Sequence, residues 1–317
     1  MTVLASGSKG NSTVVASGTT RILVDAGLSC REILRRMALA GEDAAELNAI
    51  LITHEHVDHI AGLAVLARKL RIPVFFTEQT HRAWVRMLTP RKTMSYAKWL
   101  DKMQQEKEAR AALVAGQVET DTLVEETLPV DESPLTEEAR PAVKADPAFL
   151  PAVEYFCAGQ NFCIGDIDVT PFTIPHDAAD PCGFVFHARQ ESIRMAIATD
   201  LGYIPPNVKL ALRNVDVLLL ESNHDLEMLK DGPYPWSVKQ RVLSRVGHLS
   251  NHAAAEFLLR DYDGSAHTIV LGHLSESNNL PELARLAAEQ AISNRMTLLG
   301  NRVVLAAQDA PLDPICL

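Results

Sequence analysis

Short apolar runs alternate with amphipathic stretches over the first ninety residues of the chain. The apolar runs are rich in Ile, Leu and Val and have the length of buried strands. Ser29 and Glu32 form a capping box in front of one amphipathic stretch, which marks the start of a helix. The predicted elements are, in order, a strand at Arg21–Asp25, a helix from Ser29 to about Gly41, a strand at Ala49–Thr53, a helix at Asp58–Leu70 and a strand at Pro73–Phe76.

The same pattern resumes after residue 161. The predicted strands there are Phe162–Ile164, Ile167–Phe172, Gly183–His187, Met195–Thr199, Val217–Leu220, Thr268–Leu271 and Arg302–Leu305. The predicted helices are about Val238–Val246, Ala253–Arg260 and Glu282–Ile292. Two halves that each mix strands and helices predict an α/β protein in which two sheets pack face to face with helices outside.

Residues 91–150 interrupt this order. They are rich in Ala, Glu, Thr and Pro, and a charged helix is expected only up to about Val114. Residues 111–150 hold nine acidic and two basic residues, which accounts for most of the net charge of -10. We therefore expect one domain over residues 1–317 with an exposed acidic insertion at about 91–150.

The composition limits the class of protein. An apolar content of 47% is ample for a core, and no apolar run reaches the roughly 18–20 residues of a membrane helix. Five cysteines without a C-x-x-C pair argue against a disulfide framework, and the first residues lack the regions of a signal peptide. We expect a cytoplasmic protein that has no membrane partner. Whether it forms a homo-oligomer stays open. The negative charge argues against a general nucleic-acid binder, although most of it lies in the acidic segment.

Four ligand-type residues follow the strand at Ala49–Thr53 within a span of six: His54, His56, Asp58 and His59. Neutral imidazoles and a carboxylate are the ligands that borderline divalent metals such as zinc prefer. A turn from strand to helix lets successive side chains converge on one point. The spacing therefore predicts a metal site at the end of this strand.

Further candidate ligands close other predicted strands. His176, Asp200 and His273 each follow an apolar strand. Because the same pattern of a polar residue after an apolar strand recurs, we expect these three side chains to lie with the His cluster at one edge of the sheets.

The order H-x-H-x-D-H, then His, Asp and His, resembles the metallo-β-lactamase superfamily. The resemblance implies a four-layer αββα sandwich and two divalent transition-metal ions, zinc or manganese, that hold an attacking hydroxide between them. It also implies that Asp25 supports the His loop. The implied ligands are His54, His56 and His176 for one ion, Asp58, His59 and His273 for the other, and Asp200 as the bridge.

Three further segments narrow the resemblance to the WalJ (YycJ) family of bacterial DNA exonucleases. They are Leu4–Ser12, Glu221–Asp225, and Pro233–Arg241 with its continuation to Gly247–Asn251 and His273–Asn279. The resemblance implies a phosphodiesterase that cuts DNA, with Asp58 in the catalytic centre. The acidic insertion has no counterpart in the resemblance.

The residues themselves support phosphodiester chemistry more weakly. Ser8 and Asn11 lie in a glycine-rich segment whose backbone N–H groups could bind an anion, although a tight turn explains the glycines equally well. Lys239, Arg241 and Arg245 lie on one predicted helix beside Trp236, and this patch could follow a phosphate backbone and stack a base. An ordinary solvated helix face is the alternative.

Two histidines outside the ligand pattern are candidate catalytic groups. His224 could donate a proton to a leaving oxygen, or could be a buried residue that orients others. His248 precedes Ser250 and Asn251 at a predicted helix start, where a phosphate contact is reasonable and simple capping is the alternative.

Three rival functions stay open at this point. One is the hydrolysis of small phosphodiesters such as cyclic nucleotides, and another is the hydrolysis of esters, thioesters or lactams. The third is a scaffold without activity that the metals only stabilise. Fold alone does not choose among them.

Overall fold

The structure is a computed structural model that describes residues 1–89, 100–101, 103–105, 107–108, 146–293 and 301–317. The chain divides into two compact units, Met1–Leu88 with Pro147–Leu317, and Thr89–Asp146. Most of the predicted acidic insertion lies outside the described residues, and so does most of the charged helix expected up to Val114. Both therefore stay predictions.

The first sheet has six strands that lie side by side in chain order. The first three pair antiparallel and the last four pair parallel. The strands are β1 (Thr2–Ala5), β2 (Ser12–Ala16), β3 (Arg21–Val24), β4 (Ala49–Leu51), β5 (Val74–Phe76) and β6 (Val153–Tyr155). The helices of this half are α1 (Cys30–Leu39), α2 (Val57–Ile60), α3 (Leu63–Leu70) and α4 (Glu78–Leu88), with a 3₁₀ turn at Ala44–Glu46.

The second sheet has seven strands, again in chain order. Its first four strands form an antiparallel meander and its last four are parallel. They are β7 (Phe162–Ile164), β8 (Ile167–Thr173), β9 (Cys182–Ala188), β10 (Ile193–Ala198), β11 (Val217–Glu221), β12 (Thr268–Gly272) and β13 (Arg302–Leu305). The helices are α5 (Pro206–Ala211), α6 (Leu226–Asp231), α7 (Trp236–Val242), α8 (Asn251–Arg260) and α9 (Pro281–Ser293).

Three apolar clusters separate four layers. The central cluster joins the inner faces of both sheets, with Val24 and Leu51 from one and Phe184 and Leu219 from the other. The two outer clusters pack helices against the outer face of each sheet. The predicted αββα sandwich is therefore confirmed. None of the helices in the described residues is long and apolar enough to span a membrane.

Two predicted helices have the wrong bounds. The helix expected at Asp58–Leu70 is two helices, because the chain breaks at Gly62, where an added Cβ would lie 2.1 Å from the Leu28 carbonyl oxygen. The helix expected at Val238–Val246 begins at Trp236 and ends at Val242. Strands β1, β2 and β6 and helices α4, α5 and α6 were not predicted.

The carboxyl ends of the parallel strands meet at one edge of the sandwich, and the chain turns sharply there. Asp25 after β3 (φ 61°), Asp200 after β10 (φ 61°) and His273 after β12 (φ 55°) all lie in the left-handed region. Non-glycine residues seldom adopt this conformation, and when they do it often marks a functional site. The three turns direct polar side chains towards the edge that carries the His loop.

Candidate metal centre and active site

The His loop leaves β4 and enters α2. His56 is the N-cap residue of α2 and has an extended backbone. The ligand-type nitrogens of His54 and His56 lie close together at the edge of the sheet. His54 is fully buried, with its Nδ1 3.0 Å from Thr53 Oγ1. Thr53 in turn donates its backbone N–H to Asp25 at 2.9 Å, which holds the loop against the end of β3.

A first cluster unites His54, His56 and His176. His56 Nδ1 lies 3.2 Å from His176 Nε2. The other nitrogen of each ring faces a backbone carbonyl: His56 Nε2 donates to Asp177 O and His176 Nδ1 to Gly247 O, both at 3.2 Å. These two bonds leave the facing nitrogens as free acceptors, which is the state that metal ligation needs.

A second cluster unites Asp58, His59 and His273. Asp58 Oδ2 lies 3.6 Å from His59 Nε2 and 3.7 Å from His273 Nε2. On its other side, His59 Nδ1 donates to Asp25 Oδ2 at 2.8 Å. Asp25 therefore orients His59 and takes no place in the cluster itself.

Asp200 lies between the two clusters and is buried. Its Oδ2 is 3.4 Å from His59 Nε2, and its Oδ1 is 3.8 Å from His176 Nε2. One carboxylate thus faces a ligand-type nitrogen of each cluster. All seven residues that the sequence pattern selected come together at this edge.

The donor set fits divalent cations. Ligands about 2.0–2.2 Å from a tetrahedral ion lie about 3.3–3.6 Å from one another, which is close to the spacings above. His54 Nε2 and Asp200 Oδ2 are buried and form no hydrogen bond within the described residues, so both have capacity for a further partner. Burial lowers the pKa of His59, but Asp200 and Asp25 raise it to about 9. The carboxylates of the site therefore favour added positive charge.

Glu221 and His248 form an acid–imidazole pair next to Asp200 and His273, and these four side chains are close enough together to form a further group of possible metal ligands. Glu221 is fully buried, and its Oε1 accepts a hydrogen bond from His248 Nδ1 at 2.7 Å. Its Oε2 accepts the backbone N–H of Leu201 at 2.5 Å and of Leu249 at 3.3 Å. Burial raises the pKa of Glu221, but His248 and His273 hold it at about 2. His248 is thus fixed in orientation, with its side chain one fifth exposed.

The fold and this site agree with comparisons to known proteins. A family model described as the metallo-beta-lactamase superfamily matches residues 5–273. The chain belongs to the metallo-β-lactamase superfamily. Exodeoxyribonuclease YycJ of Bacillus anthracis is 33% identical over 293 residues, which cover 92% of this chain and 89% of the relative. Exodeoxyribonuclease WalJ of Streptococcus pneumoniae is 34% identical over 284 residues, covering 90% and 84%.

A solved structure shows the same architecture. The metallo-beta-lactamase fold protein YhfI of Bacillus subtilis has a TM-score of 0.60 and 15% identity, covering 98% of this chain and 97% of its own. The prediction of a metallo-β-lactamase-fold hydrolase related to WalJ and YycJ is confirmed. The His and Asp clusters fit the metal site expected of the superfamily.

The environment of His224 does not suit the role of proton donor that the sequence suggested. Its residue is 1% exposed, and neither ring nitrogen has a hydrogen-bond partner within the described part of the chain. Burial lowers the pKa of His224 to about 4, so the ring is neutral near pH 7. The alternative of a buried histidine fits this environment better.

The glycine-rich segment is a tight turn with few free donors. The N–H of Gly7 is bound by Asn11 Oδ1, that of Lys9 by Gln308 Oε1 and that of Gly10 by Gly7 O, at 2.8–3.2 Å. Asn11 is buried, and its Nδ2 lies 3.3 Å from Asp58 Oδ2 and 3.0 Å from His59 Nε2. Asn11 therefore contacts the second cluster, and the anion site predicted at Ser8 and Asn11 stays a prediction. Ser8 is exposed.

The residues of the predicted basic patch on α7 differ in exposure and in hydrogen-bond partners. Lys239 is only 9% exposed, and its Nζ donates to Lys230 O at 2.6 Å, so it is not the surface cation that was expected. Arg241 has a side chain 60% exposed, and its Nε donates to Asp177 Oδ2 at 2.6 Å. Because Asp177 follows His176, this pair places Arg241 at the rim of the first cluster. Trp236 is exposed.

Asn251 is not open to a substrate either. It is buried, accepts from Ser222 Oγ at 2.7 Å and donates to Asn279 Oδ1 at 2.7 Å. Ser250 caps α8 by accepting the N–H of Ala253 at 3.1 Å, as the sequence predicted. This polar network ties together the loops that precede His248 and follow His273.

Glu221 and Asp177 are site residues that the sequence reasoning did not select. Glu221 ends β11 as Asp200 follows β10, so the strand-end rule could have found it. Asp177 offered only its position next to His176. The structure thus adds an oriented acid–imidazole pair to the predicted metal cluster.

Proposed function

We infer that this protein is a dinuclear metal-dependent phosphodiesterase that acts as a DNA exonuclease. The observation that carries the proposal is the Glu221–His248 pair, which lies beside the metal clusters without belonging to the predicted ligand set. Hydrolysis of a phosphodiester expels an alkoxide, which needs a proton, so a positioned acid next to the cations suits this reaction. The names of the relatives, exodeoxyribonuclease YycJ and WalJ, support the same substrate class.

Two divalent ions, zinc or manganese, would be held by the seven residues of the two clusters. His54, His56 and His176 would bind one, Asp58, His59 and His273 the other, and Asp200 both. When bound, such ions supply an activated water and neutralise charge that grows on the phosphate.

The protein's own groups complete the reaction. His248 Nδ1–H is held by Glu221, so Nε2 is the nitrogen free to give a proton to the leaving oxygen. As the P–O bond breaks, the electron pair of that bond takes up the proton and His248 becomes neutral. Glu221 orients His248 for this transfer, because its carboxylate accepts the Nδ1–H at 2.7 Å.

Arg241 is the cation placed to hold the substrate strand. It stands at the rim, and among the described residues its hydrogen bond is from Nε to Asp177, so the terminal nitrogens are left for a phosphate. Trp236, at the start of the same helix, is exposed and could stack a base. We place the protein in the cytoplasm, where its five free cysteines fit a reducing environment.

The test is an activity panel on the full chain loaded with zinc or with manganese. We expect stepwise release of nucleotides from end-labelled DNA, and little turnover of RNA, nitrocefin or a thioester. His248→Ala should retain both metals and lose about a hundredfold or more of its DNA turnover, the usual scale for a general acid. His252→Ala is the matched control, because His252 is exposed and is the second residue of α8. Turnover of nitrocefin but not of DNA would refute the proposal.

A further inference from the structure

Tyr203 and Arg245 form a stacked pair next to the metal centre. The guanidinium carbon of Arg245 lies 4.5 Å from the centroid of the Tyr203 ring. Tyr203 is half-buried and Arg245 is exposed. Arg245 follows the end of α7, so it is not part of the helix face that carries Arg241.

The pair lies where three site loops meet. The N–H of Gly202 donates to Pro175 O at 3.0 Å, next to His176. A Cβ at Gly202 would lie 2.2 Å from the carbonyl oxygen of Arg245, so the loop after Asp200 packs directly on this backbone. Any group that stacks on Tyr203 therefore lies beside the loops that carry the metal ligands and His248.

A cavity of about 430 Å³ opens beside Tyr203, between α5 and α8. This volume falls within the range of about 300–1,000 Å³ that is usual for small-molecule sites. Lys209 and Asp261 form an ion pair at 2.7 Å at its wall. The apolar residues that line it are Tyr203, Ile204, Leu249, Ala253 and Phe257.

Leu249 connects this cavity to the proposed chemistry. Leu249 lines the cavity, and its backbone N–H donates to Glu221 Oε2 at 3.3 Å. The cavity is therefore one residue away from the Glu221–His248 pair. Tyr203 lines this cavity and also carries the Arg245 guanidinium over its ring, whereas Arg245 is not among the residues that line the cavity.

We propose that this cavity binds one nucleobase of the substrate strand, stacked on Tyr203, with Arg245 facing the adjacent phosphate. An aromatic ring over an apolar floor, with a guanidinium beside it, is the arrangement that holds bases of single strands without reading their sequence. This inference rests on the proposed function for the identity of the strand. It adds a base site that is separate from the metal ligands and from Arg241.

The test measures the binding of single-stranded oligonucleotides that carry 2-aminopurine near one end, on metal-free protein in EDTA. Stacking on Tyr203 quenches the fluorescence of the base and gives a Kd. Tyr203→Leu should weaken binding about 5- to 100-fold and abolish the quenching, as expected for one lost base stack. Tyr203→Phe retains the ring and should bind like the parent. Tyr155→Leu, at an exposed tyrosine of the other sheet, is the matched control.

A second variant addresses the cavity without touching the ring. Ala253→Leu fills the space between α5 and α8 and should weaken binding to a similar extent. If Tyr203→Leu and Ala253→Leu, both folded by circular dichroism, bind and quench like Tyr203→Phe, the proposal is overturned. Because binding requires no turnover, a parent chain that binds the oligonucleotide but cleaves no DNA would refute only the exonuclease proposal.

Discussion

Replacing Glu221 with glutamine tests whether this residue acts through His248. The carboxylate accepts three hydrogen bonds, one from His248 Nδ1 and two from backbone N–H groups of Leu201 and Leu249. A glutamine has one acceptor oxygen and one NH₂ group at this place. In either orientation its NH₂ group faces a donor, either the imidazole N–H or the two backbone N–H groups. Glu221→Gln therefore breaks at least one bond to a buried charge.

The size of the effect follows from the type of bond lost. A hydrogen bond to a charged group contributes roughly 1.5–3 kcal/mol, and about 1.4 kcal/mol corresponds to a tenfold change in rate. If Glu221 holds His248 in the orientation that proton transfer needs, its replacement should lower kcat on end-labelled DNA about 10- to 150-fold. The metal content, measured by elemental analysis, should stay at that of the parent.

The double variant separates the two roles that Glu221 could have. If Glu221 acts only through His248, adding Glu221→Gln to His248→Ala should cause no further loss of kcat. A further loss equal to that of the single variant would show that Glu221 acts independently. A fall in metal content would show that it acts on the metal site, either directly or through His273, whose Nδ1 lies 3.3 Å from Glu221 Oε1. Either outcome, or full activity of Glu221→Gln, would refute the reasoning.

Three further predictions follow from the same structure. Asp200→Asn keeps the shape of the side chain and suits the left-handed backbone (φ 61°), but it removes the shared charge. Elemental analysis of this variant should therefore find less than two ions per chain. Two retained ions would contradict the bridging role. Arg241→Ala should weaken DNA binding and reduce the salt dependence of binding by about one phosphate contact. Arg213→Ala, at an exposed arginine of the opposite edge, should have neither effect. Equal salt slopes for the Arg241→Ala variant and the parent would rule out the contact. Hydrogen bonds from Thr20 and Ser17 lower the pKa of Asp166 to about 2 from 3.8, so the stability that it contributes is complete above about pH 4 and is lost as the pH falls through 2. The Tm difference between metal-free parent and Asp166→Asn should therefore shrink over that range, and a constant difference would contradict the assignment.

The metal cluster could be predicted because its residues obey a local rule. His54, Asp200 and His273 each follow an apolar strand, and strands of one direction end at one edge. The rule depends on sequence neighbours, so it needs no knowledge of tertiary contacts. It would also have selected Glu221, had it been applied to every strand end.

The substrate surface could not be predicted in this way. Lys239 and Arg241 are two positions apart on one helix. The Lys239 ammonium donates to Lys230 O, whereas the Arg241 guanidinium donates to Asp177. These hydrogen-bond partners lie on other segments of the chain, so the helix sequence alone does not reveal them. The same holds for Gly62, whose contact with the Leu28 carbonyl ends a helix that hydrophobic periodicity continues.

The left-handed turns also determine which parts of the site can be redesigned. Asp, Asn and His are the residues other than glycine that tolerate this backbone best, so the ligands at Asp200 and His273 have few acceptable replacements. His56, in contrast, has an ordinary extended backbone (φ -63°). An engineer who wishes to change the metal preference should therefore exchange the ligand at His56, where a carboxylate costs no backbone strain. Most replacements at Asp200 or His273 would add roughly 1–2 kcal/mol of backbone strain, so their chemistry could not be compared at equal stability.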